Sequence, residues 1–326
     1  MVFVTGSSGL IGSYLLQQLL EQGYQVKALV RSQPPPDQLL PLNLQYIIGD
    51  ILDVSVLQQA IQDNDYVFHC AGLVSYAPQD ADLLKQINVE GTANVVNTCL
   101  TRQGVKLCHV SSIAAIGQQK GARILDETAK WDASTAVSVY ANSKYFAELE
   151  VWRGIAEGLA AVIVNPSVVL GPADWTRSST QLFKYVFNQN AFYTDGYINF
   201  VDVRDVVASM LALTFSEVRG ERFILNAGQV LYQDFFKKVA QFLNRKPPGI
   251  QVPGVLTEII WRLESFRSFF TGKRPLITKD TARITKRNYL YTSDKIKKQL
   301  PFTFKTLEET LNWCCRELRQ KYQLPV

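Results

Sequence analysis

V2-F-V-T-G-S-S-G-L-I-G12, the first stretch of the chain, joins a short apolar run to three glycines at intervals of three. Gly6 allows a tight turn, Gly9 lets the backbone approach a pyrophosphate, and Gly12 permits close packing of helix and strand. The helix N-terminus that follows supplies free N–H groups and partial positive charge. The pattern therefore predicts a dinucleotide phosphate site formed by Gly6, Ser7, Ser8, Gly9, Leu10, Ile11 and Gly12.

Strand-like runs alternate with helical patterns downstream of this stretch. Short apolar runs, typical of strands buried on both faces, cover residues 2–4, 25–30, 44–48, 66–69, 106–110 and 160–164. Helical patterns between them cover residues 11–22, 54–61, 82–100 and 140–157. The alternation predicts an α/β fold with a doubly wound parallel sheet of the Rossmann type, forming a dinucleotide-binding domain over residues 1–172.

The pattern changes after Pro172, where helical segments dominate. They cover residues 180–188, 203–215, 232–243, 255–270 and 307–321, with one strand at 222–225. Residues 173–326 are therefore predicted to form a smaller, mostly helical, substrate-binding lobe. Residues 255–270 are amphipathic, with basic side chains on the polar side; we expect a helix that faces the lobe core, with a membrane-surface helix as the alternative. Pro34, Pro35 and Pro36 predict a rigid surface loop.

Composition excludes several classes of function. The net charge of +5 is too small and too dispersed to indicate nucleic-acid binding. The five cysteines lack metal-ligand spacing and are expected to be reduced core thiols. His69 and His109 each fall inside a predicted strand, so neither a histidine metal site nor a serine-hydrolase triad is expected. No run is long enough to span a bilayer, and the first strand begins directly after Met1, so we expect a cytoplasmic protein without a targeting segment.

The end of the second predicted strand bears on the choice of cofactor. It reads V26-K-A-L-V-R-S32, with Arg31 at its tip and no carboxylate before Asp37. An acidic residue here would bind the ribose 2′-hydroxyl of NAD, whereas an arginine suits the 2′-phosphate of NADP. We therefore predict NADP(H), with NAD as the alternative. The alternative interpretation of Arg31 is a solvent-exposed loop residue without a role in binding.

A candidate proton-transfer site follows the predicted strand at 106–110. Tyr140 and Lys144 are four residues apart on a predicted helix and therefore share one of its faces. A neighbouring ammonium, together with an oxidised nicotinamide ring, is expected to lower the pKa of the phenol and make proton exchange feasible. Ser112, at the tip of the strand, is predicted to donate a hydrogen bond to a developing oxyanion.

Several further segments give the chain its resemblance to the extended short-chain dehydrogenases/reductases, over nearly its whole length. T5-G-S-S-G-L-I-G12 resembles the cofactor loop of that family, and N88-V-E-G-T-A-N-V95 resembles its structural asparagine segment. The resemblance implies that Ser112, rather than Ser111, is the catalytic hydroxyl beside Tyr140 and Lys144. It also implies cofactor contacts from Asp50 and Ile51 at the adenine, and from Ala71, Gly72, Pro166, Ser167 and Val168 near the nicotinamide, in addition to Tyr140 and Lys144. Asn165 stands where many members have arginine.

Sequence features that separate the branches of that family exclude some of the reactions its members catalyse. Sugar-nucleotide dehydratases carry an Asp-Glu pair after the catalytic hydroxyl, but Ile113 and Ala114 follow it here, so dehydration is not expected. The acidic residue typical of sugar-nucleotide epimerases after the second strand is also missing. The segments 23–32 and 166–172 resemble instead the dihydroflavonol reductase, 3β-hydroxysteroid dehydrogenase and aldehyde reductase branch. The signature of plant cinnamoyl-CoA reductases around the tyrosine is missing, which disfavours a CoA thioester substrate.

The sequence thus predicts an NADP(H)-dependent oxidoreductase that reduces a ketone or aldehyde, or oxidises the alcohol, by hydride transfer. A sugar-nucleotide epimerase and a non-catalytic NADP(H)-binding regulator remain as alternatives. The expected partner is a small-molecule carbonyl or alcohol substrate, without nucleic acid, membrane span or metal, and with a homodimer kept as an option.

Other polar and aromatic residues admit two interpretations. Asp202, Arg204 and Asp205 are expected to cap a helix and form an ion pair, with the substrate mouth as the alternative. Core positions are favoured over a substrate pocket for Trp175, Phe192, Tyr193 and Phe200. The role of Asp126 and Glu127 is left open.

Overall fold

The computed structural model of the protein describes residues 1–32, 41–118, 122–132, 138–175, 179–253 and 289–324. Its strands are β1 (Val2–Thr5), β2 (Val26–Val30), β3 (Leu44–Ile48), β4 (Tyr66–His69), β5 (Lys106–Val110), β6 (Ile124–Leu125), β7 (Ala160–Pro166), β8 (Val168–Leu170), β9 (Phe192–Thr194), β10 (Tyr197–Asp202), β11 (Glu221–Leu225), β12 (Gly228–Leu231), β13 (Ile250–Val252) and β14 (Leu290–Tyr291). Its α-helices are α1 (Leu10–Glu21), α2 (Val54–Ala60), α3 (Ala81–Leu84), α4 (Gly91–Leu100), α5 (Val139–Ala156), α6 (Thr180–Phe187), α7 (Val203–Thr214), α8 (Tyr232–Leu243), α9 (Asp294–Gln299) and α10 (Leu307–Tyr322).

Within the described residues, one parallel sheet of seven strands forms the centre of the molecule. The strand order is β11-β7-β5-β4-β1-β2-β3, and every neighbouring pair is parallel. The order reverses between β1 and β4, the position where open parallel sheets bind ligands at the carboxyl ends of their strands. The predicted α/β fold with a doubly wound parallel sheet is confirmed.

Each face of this sheet is covered by helices, because the strands are apolar on both sides. One face packs against α1 and α7 through a cluster that includes Leu15, Leu19 and Met210. The other packs against α2, α4 and α5, with Leu57, Val95 and Val151 in its cluster. Fully burying one such side chain stabilises a fold by roughly 1.5–3 kcal/mol, so these two layers stabilise the sheet whose carboxyl edge is described below.

The C-terminal region differs from the prediction of a mostly helical lobe with one strand. Besides its helices, its described part contains five further short strands. β10 and β12 form a three-stranded sheet with β8 in the order β12-β10-β8, β13 pairs with β9, and β14 pairs with β6; β6 and β8 come from earlier in the chain. These strands have two to six residues, too few for most of them to show an alternating pattern. The strand that was predicted, β11, pairs with β7 and so belongs to the central sheet, while the division at residue 172 stays a prediction.

Helices α6, α8 and α10 pack around a third apolar cluster that includes Phe183, Phe235 and Leu311. The predicted helix at 255–270, the loop at 34–36 and Asp37 lie outside the described residues. Within the described part of the chain, no helix has the length and apolar character needed to cross a bilayer.

Residues 82–100, predicted as one helix, form three consecutive segments instead. The short helix α3 is followed by a π-helical turn over Lys85–Glu90 and then by α4. A π-helical turn inserts one residue into a helix and is frequent at functional sites. Asn88 lies within this turn, and its contacts are described below.

Candidate active site

The turn between β1 and α1 has no space for side chains at two of its glycines. Gly6 has φ +68°, and a Cβ atom there would lie 2.5 Å from the backbone nitrogen of Ala71. A Cβ atom on Gly12 would lie 2.1 Å from the carbonyl oxygen of Gly6. The first glycine therefore allows the β1–α1 turn to touch the end of β4, and the third allows α1 to start directly against the turn.

Gly9 is less crowded than the other two glycines. A Cβ atom there would meet only the Gly6 oxygen, at 3.2 Å, among the described residues. Gly9 is the N-cap of α1 and provides no side chain to cap the first turn, so the N–H groups of that turn point outward. A cradle of this shape fits a pyrophosphate at a helix N-terminus.

Other residues predicted to contact the cofactor surround this turn. Ser7 is buried and donates to the Leu29 oxygen at 3.4 Å, whereas Arg31 is exposed directly after β2. Asp50 Oδ1 accepts from the Leu52 nitrogen at 3.0 Å, which fixes the turn after β3. The remaining predicted residues of this group lie at the same edge: exposed Ser8, half-buried Leu10 and Ile11, buried Ile51, and Ala71 and Gly72 after β4.

Tyr140 and Ser112 are brought together by α5 and the end of β5. The two side chains are hydrogen-bonded, and the Tyr140 ring packs edge-on against Tyr76 with centroids 5.5 Å apart. Burial raises the pKa of Tyr140, and the hydrogen bond from Ser112 partly opposes this. Burial of the phenol therefore has the larger effect, and the lowering expected from Lys144 together with an oxidised nicotinamide ring stays a prediction.

Lys144 lies one turn further along α5, with its ammonium buried against the end of β5. Its Nζ donates to the Val110 oxygen at 2.8 Å. Burial lowers the pKa of Lys144 to about 8, while Glu148 and Cys70 act in the opposite direction. A Cβ atom on Gly72 would lie 3.9 Å from Nζ, so β4, β5 and α5 converge at this ammonium.

The π-helical turn holds the loop after β4 against α5 through one amide. Asn88 Oδ1 accepts from the Leu73 nitrogen at 2.7 Å, and Nδ2 donates to the Leu73 oxygen at 3.0 Å. The same Nδ2 donates to Ser143 Oγ at 2.9 Å, and Ser143 donates to the Tyr140 oxygen at 2.8 Å. Asn88 thus connects the backbone carrying Tyr140 with the loop that contains Ala71 and Gly72.

A buried carboxylate behind the site was not predicted from the sequence. Glu148 Oε2 accepts from Ser111 Oγ and Asn165 Nδ2, both at 2.7 Å. Its Oε1 accepts from Arg222 Nη1 at 2.9 Å and from Trp152 Nε1 at 3.2 Å. The signal in the sequence was the spacing of four residues between Lys144 and Glu148, but Arg222 on β11 gives no such signal.

The β7 end of the site contains polar atoms that lack a partner among the described residues. Ser167 is buried with an unpaired Oγ, and Asn165 has an unpaired Oδ1. Unpaired polar atoms at a buried position are costly and frequently mark a ligand contact. The segment Pro166, Ser167 and Val168 therefore fits a polar group such as a carboxamide.

The remaining candidates have structural roles. Asp202 caps α7 by accepting from the Arg204 nitrogen at 2.8 Å, and the two side chains form an ion pair at 2.6 Å. Trp175 and Phe200 are buried in the third apolar cluster, Tyr193 packs against it, and Phe192 is exposed. Glu127 Oε1 accepts from the Ile224 nitrogen at 2.8 Å, so this carboxylate holds the outer edge of β11. Asp126 caps its own turn through Thr128.

Comparison with known proteins shows the family to which the chain is related. The sequence profile described as the NAD dependent epimerase/dehydratase family matches residues 2–228. A Synechocystis protein whose name marks it provisionally as a dihydroflavonol 4-reductase is 31% identical, covering 95% of this chain and 92% of its own length. Cinnamoyl-CoA reductase 1 of Petunia hybrida is 27% identical, and the match covers 100% of this chain and 94% of the length of that protein. The crystal structure of gox2253 is similar over 100% of this chain and 99% of its own, with 28% identity and a TM-score of 0.84.

Proposed function

Because the chain belongs to the NAD-dependent epimerase/dehydratase family, we propose that it is a carbonyl reductase or alcohol dehydrogenase that uses NADP(H). The observation that carries this proposal is the hydrogen bond between Tyr140 and Ser112 at the carboxyl edge of the sheet. Two hydroxyls that meet at one point can bind a single carbonyl oxygen together. The relatives named as reductases support the same reaction class.

In the proposed reaction Tyr140 is the proton donor. Ser112 donates a hydrogen bond to the carbonyl oxygen, and Tyr140 delivers its proton to the same oxygen as negative charge develops. The cofactor, when bound, supplies the hydride. The buried ammonium of Lys144 stabilises the phenolate that remains on α5 until a proton returns from solvent.

The residues proposed to hold the cofactor extend along the carboxyl edge. The glycine turn binds the pyrophosphate, the turn with Asp50 and Ile51 borders the adenine, and Pro166, Ser167 and Val168 border the nicotinamide. Arg31 is proposed to select NADP(H), since an exposed guanidinium at the tip of β2 can form a bidentate contact with a 2′-phosphate.

The proposed substrate is an apolar or aromatic ketone or aldehyde. The C-terminal cluster contributes Phe, Trp and Tyr side chains, and sugar-nucleotide elimination would need a carboxylate pair where Ile113 and Ala114 stand. An epimerase differs in showing no net consumption of reduced cofactor. A non-catalytic regulator would bind the cofactor without turnover.

The proposal is tested by following the absorbance of added NADPH with a panel of substrates. The panel contains aldehydes, ketones, one aromatic CoA thioester and nucleotide sugars, with product analysis by mass spectrometry in every arm. Consumption of NADPH with an apolar carbonyl compound is expected. Conversion of a nucleotide sugar without NADPH consumption would replace the proposal with the epimerase, and tight binding without any turnover would replace it with the regulator.

A further inference from the structure

Two routes lead from Glu148 to the residues proposed for proton transfer. The first passes through Asn165, whose Nδ2 donates both to Glu148 Oε2 at 2.7 Å and to the backbone oxygen of Ser112 at 3.0 Å. The second runs along α5, where Glu148 follows Lys144 by four residues and therefore shares its face. The carboxylate thus contacts one proposed catalytic residue through an amide and neighbours another.

Resting on the function proposed above, we propose that Glu148 is a positioning residue of the proton-transfer site. It fixes the peptide of Ser112 through Asn165 and stabilises the ammonium form of Lys144. It touches neither substrate nor cofactor in this role, and it acts through the Asn165 amide and the Lys144 ammonium.

The environment of Lys144 shows why a carboxylate is needed there. The titratable side chains near it, apart from Glu148, are Tyr140, Cys70, His69 and His109. Burial raises the pKa values of the phenol and the thiol and lowers those of both imidazoles, so all four are neutral at pH 7. Within the described residues, Glu148 consequently has the largest effect that opposes the cost of burying the ammonium.

Glu148 can occupy this position because its own burial is compensated. Its side chain is only 3% exposed, and a carboxylate this deep is unfavourable unless donors surround it. Arg222 supplies a charged donor from β11 and also donates to the Glu127 oxygen. The guanidinium is therefore held in place, and α5 is tied to the outer strand of the sheet.

The first test measures the titration of Lys144 directly, without substrate or cofactor. Lysine labelled with ¹³C at Cε gives a resonance for Lys144 that is identified by its loss in Lys144→Met. Its titration midpoint is compared between the unmodified protein, Glu148→Gln and the control Glu150→Gln. Glu150 lies on the same helix, is partly exposed and pairs with Arg153, so the control removes the same charge away from the site.

Glu148→Gln is expected to lower the Lys144 midpoint by about one pH unit, because loss of a nearby opposite charge disfavours the ammonium. Glu150→Gln should leave the midpoint unchanged. If Glu148→Gln fails to fold, Glu148→Asp is measured instead, and its shortened carboxylate should lower the midpoint by a smaller amount. A midpoint in the folded Glu148 variant equal to that of the unmodified protein overturns the proposal, whether or not the enzyme is a reductase.

The second test uses kinetics once a substrate has been found. The rate of reduction should decline as pH rises through the Lys144 titration, and in Glu148→Gln this decline should begin at lower pH. A residue with only a structural role would lower the rate at every pH without moving the profile. An unmoved profile combined with a lower melting temperature would assign Glu148 to folding alone and contradict the positioning role.

Discussion

At the scale of single residues, the site holds a phenol in its protonated form. Burial raises the pKa of Tyr140, so at neutral pH the residue is in the form that the proposed carbonyl reduction consumes. The ammonium of Lys144, one turn further along α5, donates to the Val110 oxygen at 2.8 Å. The lowering of the Tyr140 pKa that we expect from Lys144 and an oxidised nicotinamide ring together stays a prediction.

Removing only the Tyr140 hydroxyl separates catalysis from folding. Tyr140→Phe keeps the ring that packs against Tyr76 but deletes the proton donor. Turnover should fall about 10²–10⁴-fold, the usual contribution of a general acid, with little change in melting temperature. The matched control is Tyr145→Phe on the same helix, whose ring stacks on Trp131 outside the site. Near-full activity of Tyr140→Phe would show that another group is the acid.

Arg31→Asp tests the choice of cofactor. Arg31 is exposed at the tip of β2, where a guanidinium attracts the 2′-phosphate of NADP and a carboxylate repels it while accepting from the ribose hydroxyl of NAD. The unmodified protein should bind NADPH more tightly than NADH, and the variant should reverse or abolish this preference in fluorescence titrations. Equal dissociation constants for both cofactors in the unmodified protein would contradict the assignment.

At the scale of elements, the β1–α1 turn separates two roles of its glycines. Gly9→Ala adds a methyl group that meets only the Gly6 oxygen, so folding should be retained while approach of the pyrophosphate is blocked. Gly12→Ala places the methyl 2.1 Å from the same oxygen and should force the turn and helix apart. We expect weaker NADPH binding with an unchanged melting temperature in the first variant, and a lowered melting temperature in the second. Equal melting temperatures would refute this division.

The contacts of Asn88 in the π-helical turn lead to a second prediction at this scale, which concerns stability. Asn88→Ala removes both contacts to the Leu73 backbone and leaves buried polar groups unpaired, which costs about 1–3 kcal/mol in free energy of unfolding. Asn97→Ala on α4 is the control, since Asn97 is exposed and its side-chain partner among the described residues is Arg153 at the surface. Urea denaturation should place the two variants at least about 1 kcal/mol apart. Similar values would mean that the loop after β4 does not depend on Asn88.

The elements differ in how far the sequence reveals them. The central strands were predictable because each is a short apolar run bounded by turns, and the glycine turn because its spacing is specific. The π-helical turn was not, since its inserted residue leaves the helical pattern of 82–100 nearly unchanged. The small sheets were missed because β9, β13 and β14 have only two or three residues each, too few to show a period.

At the scale of the whole molecule, the site depends on contacts between distant parts of the chain. The placement of Ser112 beside Tyr140 and Lys144 could be predicted because parallel strands bring their carboxyl ends to one edge and a helix brings two residues to one face, while their catalytic roles stay a prediction. Arg222 was not, because its partner Glu148 lies 74 residues earlier and only the pairing of β11 with β7 brings them together.

The two histidines beneath this edge lead to a prediction about how the stability of the whole protein depends on pH. His69 lies between Thr5 and Thr92, at 2.7 and 3.0 Å, while both ring nitrogens of His109 lack partners among the described residues. Burial lowers the pKa of His69 to about 3 and that of His109 well below its usual value. The unfolded chain therefore binds protons below about pH 6.5 that the folded protein cannot, so stability is lost as pH falls.

Each buried histidine should lower the free energy of unfolding by about 1.4 kcal/mol between pH 7.5 and 5.5, a window above the range in which most carboxylates titrate. His109→Leu removes one of these titrations and replaces unpaired polar atoms with apolar ones, so its stability should fall less steeply over the same window. Urea denaturation at several pH values measures both slopes. If the free energy of unfolding falls with the same slope in the unmodified protein and in His109→Leu, His109 must accept a proton in the folded state. The assignment of His109 as a buried neutral ring would then be wrong.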